Sequence, residues 1–173
     1  MGGFLVAGHG PRELKTMSPK YKNQLIRWLN RCWDNIPAEL VLCGMAEGFD
    51  EAMAKTAIAR GIEVTAVPPS PDYGEYWWGE ASVTGTDRRD EYDRLLEACV
   101  DVQPARGHHL FGGAAQDRVD KLVEIGECYL TFPYPHCSLT QRFIAGVELT
   151  AKPVDAYPQH TIGGRAADFL ATA

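Results

Sequence analysis

The chain has 173 residues, of which 45% are hydrophobic and 23% charged, the composition of one globular domain with an apolar core. Its 17 basic and 23 acidic residues give a net charge of −6, which makes nucleic acid an unlikely partner because binding to many phosphates requires a basic surface. No apolar run reaches the roughly 18–20 residues of a membrane span, and the N-terminal residues lack the basic start of a secretory signal, so no membrane association is expected.

Short apolar runs typical of buried strands alternate along the chain with amphipathic stretches typical of helices. The predicted strands are 4–7, 40–43, 62–67, 100–102, 128–132 and 153–157, and the predicted helices are 19–36, 47–60, 86–99, 114–124 and 138–150. Strands separated by helices of this kind form βαβ units, so we predict an α/β fold with a three-layer, Rossmann-like parallel sheet and helices on both faces. A single domain is predicted for 1–157, followed by a small, polar, partly disordered tail at 158–173.

Ligands of such sheets bind beyond the carboxyl ends of the strands, which makes the loops after the strands the candidate site. These loops are 8–12, 43–50, 68–78 and 133–141. In the second loop, Gly44 and Gly48 stand where a strand gives way to a helix, and free N–H groups at a helix start favour an anion such as phosphate. The alternative is a tight turn that needs its glycines for packing alone. If the glycines cradle a ligand, Gly48→Val should abolish binding in a folded protein.

The second loop resembles the S-G-x-A-x-G-x-D-x-x-A signature of the SLOG superfamily, the Rossmann-like group that contains the DNA-processing protein DprA and the LOG phosphoribohydrolases. The matching residues are Gly44, Ala46, Gly48, Asp50 and Met53-Ala54, with Cys43 in place of the serine. The turn after the first strand, residues 6–11, is similar to the family's V-x-G-S/H-R-x, although Gly10 replaces the usual arginine and Arg12 is expected to substitute for it. Because 4–157 are accounted for without appended domains, the chain resembles most the small, single-domain YpsA-like branch.

One departure from the family concerns catalysis. LOG enzymes carry P-G-G-x-G-T-x-x-E after the fourth core strand, and the corresponding stretch here is 133–141, with Gln141 in place of the catalytic glutamate. A glutamine cannot act as a carboxylate base, so LOG-type N-glycosidase activity is not expected and no catalytic residue is assigned.

The resemblance implies that the chain binds a nucleotide-derived molecule, ADP-ribose-like or a cyclic nucleotide, in a sensing, sequestering or regulatory role. Two alternatives stay open: a nucleotide hydrolase or transferase, and an interaction protein that has kept the fold without the ligand. A homo-oligomer is compatible with the sequence. The predicted ligand-binding residues are Gly8, His9, Gly10, Arg12, Gly44, Met45, Ala46, Glu47, Gly48, Asp50, Trp77, Pro133, Ser138 and Gln141.

Several of these residues have a second interpretation. Asp50 either holds a ribose hydroxyl or braces the helix start, and Glu47 is expected to be solvated or a helix-start residue rather than a catalyst. Trp77 either stacks on a base or packs beneath its loop, and the pair Arg88-Arg89 either reaches phosphates or is simply solvated. Ser138 is expected to cap the last helix.

No metal and no cofactor are predicted. The neighbouring pairs His108-His109 and His136-Cys137 are awkwardly placed for ligation, and no spaced carboxylate or CxxC motif completes a set. The five cysteines therefore favour reduced thiols and a cytoplasmic location.

Overall fold

The computed structural model describes residues 2–16, 18–106, 113–134, 136–150 and 152–157. Within them, six parallel strands form one sheet: β1 Phe4–His9, β2 Ala38–Cys43, β3 Glu63–Ala66, β4 Asp101–Val102, β5 Cys128–Thr131 and β6 Val154–Ala156. The helices are α1 Pro19–Asn35, α2 Phe49–Ala59, α3 Arg89–Glu97, α4 Ala114–Ile125 and α5 Ser138–Thr150, with short 3-10 helices η1 Arg12–Thr16, η2 Tyr73–Trp77 and η3 Gly79–Ala81. The predicted α/β, Rossmann-like fold is confirmed.

Helices cover both faces of the sheet because consecutive strand residues point to opposite sides. Val6 of β1 belongs to a core shared with α1, α2 and α3, whereas the next residue, Ala7, belongs to a second core shared with α4 and α5. The inner strands β1, β2, β3 and β5 are buried on both faces toward their carboxyl ends and therefore appear in the sequence as apolar runs, whereas the edge strands β4 and β6 are exposed. No helix of the described residues has the length and apolarity needed to cross a bilayer.

The strand order β4-β3-β2-β1-β5-β6 reverses at β1. The chain leaves β1 toward β2 on one side, and β5 pairs with β1 on the other. A crevice forms at such a reversal, beyond the carboxyl ends of the two strands. The loops after β1 and after β5 are therefore the ones that the fold places around this crevice.

The structure differs from the predicted elements in two places that affect the site. β1 continues through Gly8 and His9, which were expected in a loop, because these residues pair with Leu130 and Thr131 of β5. The segment 68–85, expected to be irregular, contains η2 and η3. The predictions that concern His108-His109 and the tail 158–173 fall outside the described residues.

Candidate functional site

The loop after β2 is buried throughout, and its glycines are explained by packing. Gly48 has a φ of +83°, and a β-carbon on it would lie 2.7 Å from the carbonyl oxygen of Pro11 and 2.6 Å from that of Arg12. A β-carbon on Gly44 would lie 2.8 Å from an Asp50 carboxylate oxygen. The premise that Gly48 lies at a loop rim is therefore wrong, because backbone encloses the position, and Gly48→Val is expected to destabilise the fold.

The segment 73–88 covers this loop. Trp77 is fully buried, and its indole N–H donates a hydrogen bond of 3.1 Å to the carbonyl of Met45. The neighbouring Trp78 is 49% exposed, with the guanidinium of Arg89 over its ring. The interpretation of Trp77 as a surface for stacking on a base is therefore corrected: its ring belongs to the core, and the accessible ring is that of Trp78.

Glu47 is buried and paired rather than solvated. Its carboxylate accepts hydrogen bonds from Arg88 at 2.7 Å, Ser82 Oγ at 2.8 Å, the Val83 N–H at 2.9 Å and Arg12 at 3.0 Å. Burial acts to raise the pKa of Glu47, but the hydrogen bonds outweigh burial and hold that pKa below its ordinary value. The expectation of a solvated Glu47 is wrong because four partners replace water at its carboxylate.

The same network includes Glu51, which pairs with Arg88, Lys15 and Lys55. Burial acts to raise the pKa of Glu51, and the three cations nevertheless lower it to about 2. Arg12, predicted to contact a ligand, donates to Glu47 and to the carbonyls of Tyr76 and Ala81. Arg12 thus links the segment 73–88 to the loop after β2 by hydrogen bonds. Its side chain also lines the crevice.

The crevice between β1 and β5 has a volume of about 280 Å³. Its lining residues come from the end of β1, the start of η1, α4 and the start of α5: His9, Gly10, Arg12, Glu13, Arg118, His136, Cys137, Ser138 and Leu139. Of the predicted ligand-binding residues, the fold thus brings His9, Gly10, Arg12 and Ser138 together at one surface.

Several buried polar atoms without partners lie at the wall of this crevice or directly behind it. Within the described residues, neither ring nitrogen of His9 has a hydrogen-bond partner, and Asp50 Oδ1 and Arg118 Nε lack one as well. His9 Nδ1 lies 3.8 Å from Asp50 Oδ1, and Arg118 donates to the carbonyl of Gly44 at 3.2 Å. An unpaired buried polar group costs about 1–3 kcal/mol, so a cluster of them indicates groups that meet a ligand or water.

Burial sets the charges of this cluster. It raises the pKa of Asp50 to about 6, although the charge of Arg118 and the N–H groups of Ala46 and Gly10 oppose the rise. Burial, and then the charge of Arg118, lower the pKa of His9, so the imidazole is neutral at pH 7. At neutral pH the Asp50 carboxylate near Arg118 is therefore ionised, and below about pH 6 it becomes neutral.

The start of α5 adds backbone donors to the crevice. The helix begins at Ser138, whose side chain is exposed, so Ser138 is the first helical residue and Cys137 precedes it as the cap. The first N–H groups of a helix have no intrahelical acceptor and favour anions. Gln141 donates its side-chain amide to the carbonyl of Tyr134, which braces the loop that contains Pro133. Of these predicted residues, Ser138 faces the crevice and Gln141 supports its wall.

Sequence reasoning missed Arg118, the strongest charge at the crevice. Arg118 is 2% exposed and lies in the middle of α4. The one signal in the sequence is its position four residues before Leu122, on the apolar stripe of the predicted helix. Arg88 was equally hard to place: it is 5% exposed, whereas its neighbour Arg89 is at the surface.

Neither a family model nor a curated protein matches the chain. Its fold is similar to that of DNA processing protein A from Helicobacter pylori, with a TM-score of 0.64 and 13% sequence identity over 98% of this chain and 72% of that one. That protein's structure is described for its mode of single-stranded DNA binding. DprA from Streptococcus pneumoniae is matched over 87% of this chain and 58% of that one, with 14% identity and a TM-score of 0.37. At these identities the likeness concerns the fold, which is that of a DprA-like Rossmann domain.

This comparison corrects two expectations. The sequence was taken to indicate a small nucleotide-derived ligand in a sensing role, and a net charge of −6 was taken to make nucleic acid an unlikely partner. The similar fold instead belongs to a protein that binds single-stranded DNA. Net charge is a property of the whole surface and does not exclude a local anion site built from an arginine and a helix start.

Proposed function

We propose that the chain binds single-stranded DNA, with a phosphate of the strand in the crevice between β1 and β5. The observation that carries the proposal is Arg118: it is 2% exposed, lies at the crevice, and has an Nε without a partner among the described residues. A guanidinium with a free donor is suited to a phosphate oxygen. The similarity in fold to a protein that binds single-stranded DNA supports single-stranded DNA as the ligand.

The other groups of the crevice suit the same ligand. The N–H groups at the start of α5 donate to phosphate oxygens, and His9 offers a ring nitrogen beside Arg118. A volume of about 280 Å³ accommodates one phosphate with its sugar rather than a duplex. Because the crevice holds one phosphate, its contact alone should contribute a slope of only about −0.7 to a plot of the logarithm of the binding constant against log salt.

A matched pair of charge variants tests the proposal. Ser138→Glu places a carboxylate at the start of α5, where it favours the helix by about 0.3–1 kcal/mol but repels a phosphate. Leu149→Glu, at the far end of the same helix and 90% exposed, makes the same change in net charge away from the crevice. In anisotropy titrations with labelled oligothymidine, Ser138→Glu should weaken binding by about tenfold or more and Leu149→Glu should leave it unchanged.

A duplex of matched length serves as the competitor in the same titrations, and thermal unfolding confirms that both variants are folded. Equal losses in the two variants would show that only net charge matters and would remove the crevice from the proposal. No binding of single strands by the wild-type protein would end the proposal altogether.

The assignments of superfamily, domain organisation and cellular location are also part of the proposal. The pattern from Gly44 to Asp50 supports membership of the SLOG superfamily. The single domain at 1–157 and the cytoplasmic location rest on the sequence arguments given above, to which the structure adds that all five cysteines are free thiols.

A further inference from the structure

A second cavity lies on the other side of η1, between η1, α1 and α2, and we call it the lysine slot. Its volume is about 200 Å³. Its floor is apolar and includes Leu14, Leu25 and Ala52, and its rim includes Lys15, Lys22 and Lys55. An apolar floor beneath a cationic rim suits a ligand that has a flat apolar part and a negative charge.

The charge of the slot stands out against that of the whole chain. Glu51 is the acidic residue among the lining residues, and it faces three lysines, which leaves an excess of two positive charges. The chain as a whole carries −6. Lys15 and Lys55 both contact Glu51, so Lys22 is the lysine of the rim with no ion pair among the described residues.

The size of the slot matches one aromatic ring. An apolar cavity of about 150 Å³ holds benzene, so about 200 Å³ accommodates a substituted six-membered ring such as a pyrimidine base. Base stacking on apolar or aromatic surfaces is the usual way in which single-stranded DNA gains affinity beyond its phosphates.

The lysine slot and the crevice lie at the two ends of one short helix. Arg12 and Glu13 of η1 line the crevice, and Leu14 and Lys15 line the slot. A 3-10 helix rises about 2 Å per residue, so Arg12 to Lys15 span about 6 Å, close to two nucleotide steps of about 3.4 Å along a helical strand, and one strand can reach both sites.

We propose that the lysine slot receives a base of the DNA strand whose phosphate occupies the crevice, with the next phosphate on the lysine rim. This inference rests on the proposed function, because it assumes that a single strand is bound. It adds a second contact that depends on the bases, whereas the crevice contact depends on the phosphates alone.

The experiment compares oligothymidine with an abasic strand of the same length, in wild-type protein and in Ala52→Phe. The phenylalanine ring fills the slot, and Ala52 is only half-buried, so the fold has room for it. The matched control is Ala59→Phe, at an exposed position of the same helix outside the slot. The wild type and Ala59→Phe should prefer the base-bearing strand by about tenfold, and Ala52→Phe should lose this preference while keeping its affinity for the abasic strand.

A second variant tests the rim without filling the slot. Lys22→Glu places an acidic residue near the start of α1, where the helix dipole tolerates it, and should weaken binding of both strands by several-fold. If strands bind and Ser138→Glu weakens them, but Ala52→Phe keeps the base preference or Lys22→Glu has no effect, the slot inference is overturned and the proposed function stands. If no strand binds, the proposed function fails first.

Discussion

The two glycine-bearing loops at the carboxyl edge of the sheet differ in what their polar groups contact. The loop after β2 is closed: Glu47 accepts four hydrogen bonds, and Gly48 is pressed against the backbone of the first loop. At the end of β1, His9 and the adjacent Asp50 and Arg118 retain buried atoms without partners in the described part of the chain. A glycine signature therefore marks close backbone packing, and the site is better recognised by buried polar groups that lack partners.

The largest loss of stability is expected for a substitution in the closed loop after β2. Glu47→Ala leaves the buried guanidinium of Arg88 without one of its carboxylates, and removing one partner of a buried pair costs about 3–5 kcal/mol. The free energy of unfolding from urea titration measures this loss. Glu75→Ala, an exposed carboxylate near Arg89, is the control and should change stability by less than about 0.5 kcal/mol. A small effect of Glu47→Ala would mean that the loop is not closed by this pair.

The second prediction concerns Gly48. Valine there must adopt a φ of +83° with a ψ of −114°, a backbone region populated almost exclusively by glycine, at a cost of about 1–3 kcal/mol. It must also displace the backbone of Pro11 and Arg12, so the total loss of stability should be about 3 kcal/mol or more. Gly61→Val is the matched control: Gly61 also has a positive φ, but nothing lies within 4 Å of its β-carbon position. Thermal unfolding of the two variants separates the cost of a positive φ, which both share, from the cost of steric overlap, which only Gly48→Val has. An equal loss of stability in the two variants would contradict the packing explanation.

The third prediction uses the pH dependence of Asp50. Its pKa is 3.8 in an unfolded chain and about 6 in the fold, so the folded state binds the proton more tightly. Stability from this group is present below about pH 4 and is lost as pH rises to about 6, an effect of about 3 kcal/mol. Asp50→Asn should abolish this decline in urea unfolding between pH 4 and pH 6.

Strand binding should depend on the protonation of Asp50 over the same pH range. As pH falls through 6, the carboxylate beside Arg118 becomes neutral and stops repelling a phosphate, so affinity should rise in the wild type and stay flat in Asp50→Asn. Glu51 does not interfere, because its stabilising charge is lost only between about pH 4.5 and pH 2. A flat wild-type profile from pH 7.5 to pH 5 would contradict the placement of the phosphate.

The smallest expected effect lies in the open crevice. His9→Leu removes two buried nitrogens that lack partners among the described residues, and it keeps an apolar side chain beside Phe143. Stability should stay the same or rise by up to about 1 kcal/mol, while oligothymidine binding weakens. A marked loss of stability would show that His9 has a structural partner, and the two loops would then not differ as described.

The fold was largely predictable because a parallel sheet buries its strands on both faces. The apolar runs located the strands to within about two residues, and α5 was placed at 138–150, as observed. The period of an amphipathic helix and the continuity of a buried strand both depend on residues that are neighbours in the chain. Both patterns can therefore be identified from the sequence alone.

The site was only partly predictable because its side chains interact with residues that are distant in the sequence. His9, Gly10 and Ser138 were found because they lie at the ends of strands or at the start of a helix. Arg118 was missed because its role depends on its distance from Gly44, 74 residues away in the chain. Glu47 was expected to be solvated because its partner Arg88 lies 41 residues further along.

The crevice and the carboxylate directly behind it draw on four separate elements: His9 of β1, Asp50 of α2, Arg118 of α4 and the first turn of α5. No fragment of the chain that lacks one of them contains the whole crevice. Partial opening of any of these elements would release a bound molecule, so any ligand of the crevice stabilises all four against opening at once. A ligand bound in the crevice should therefore protect all four elements from proteolysis, and this protection should extend to the helices on both faces of the sheet.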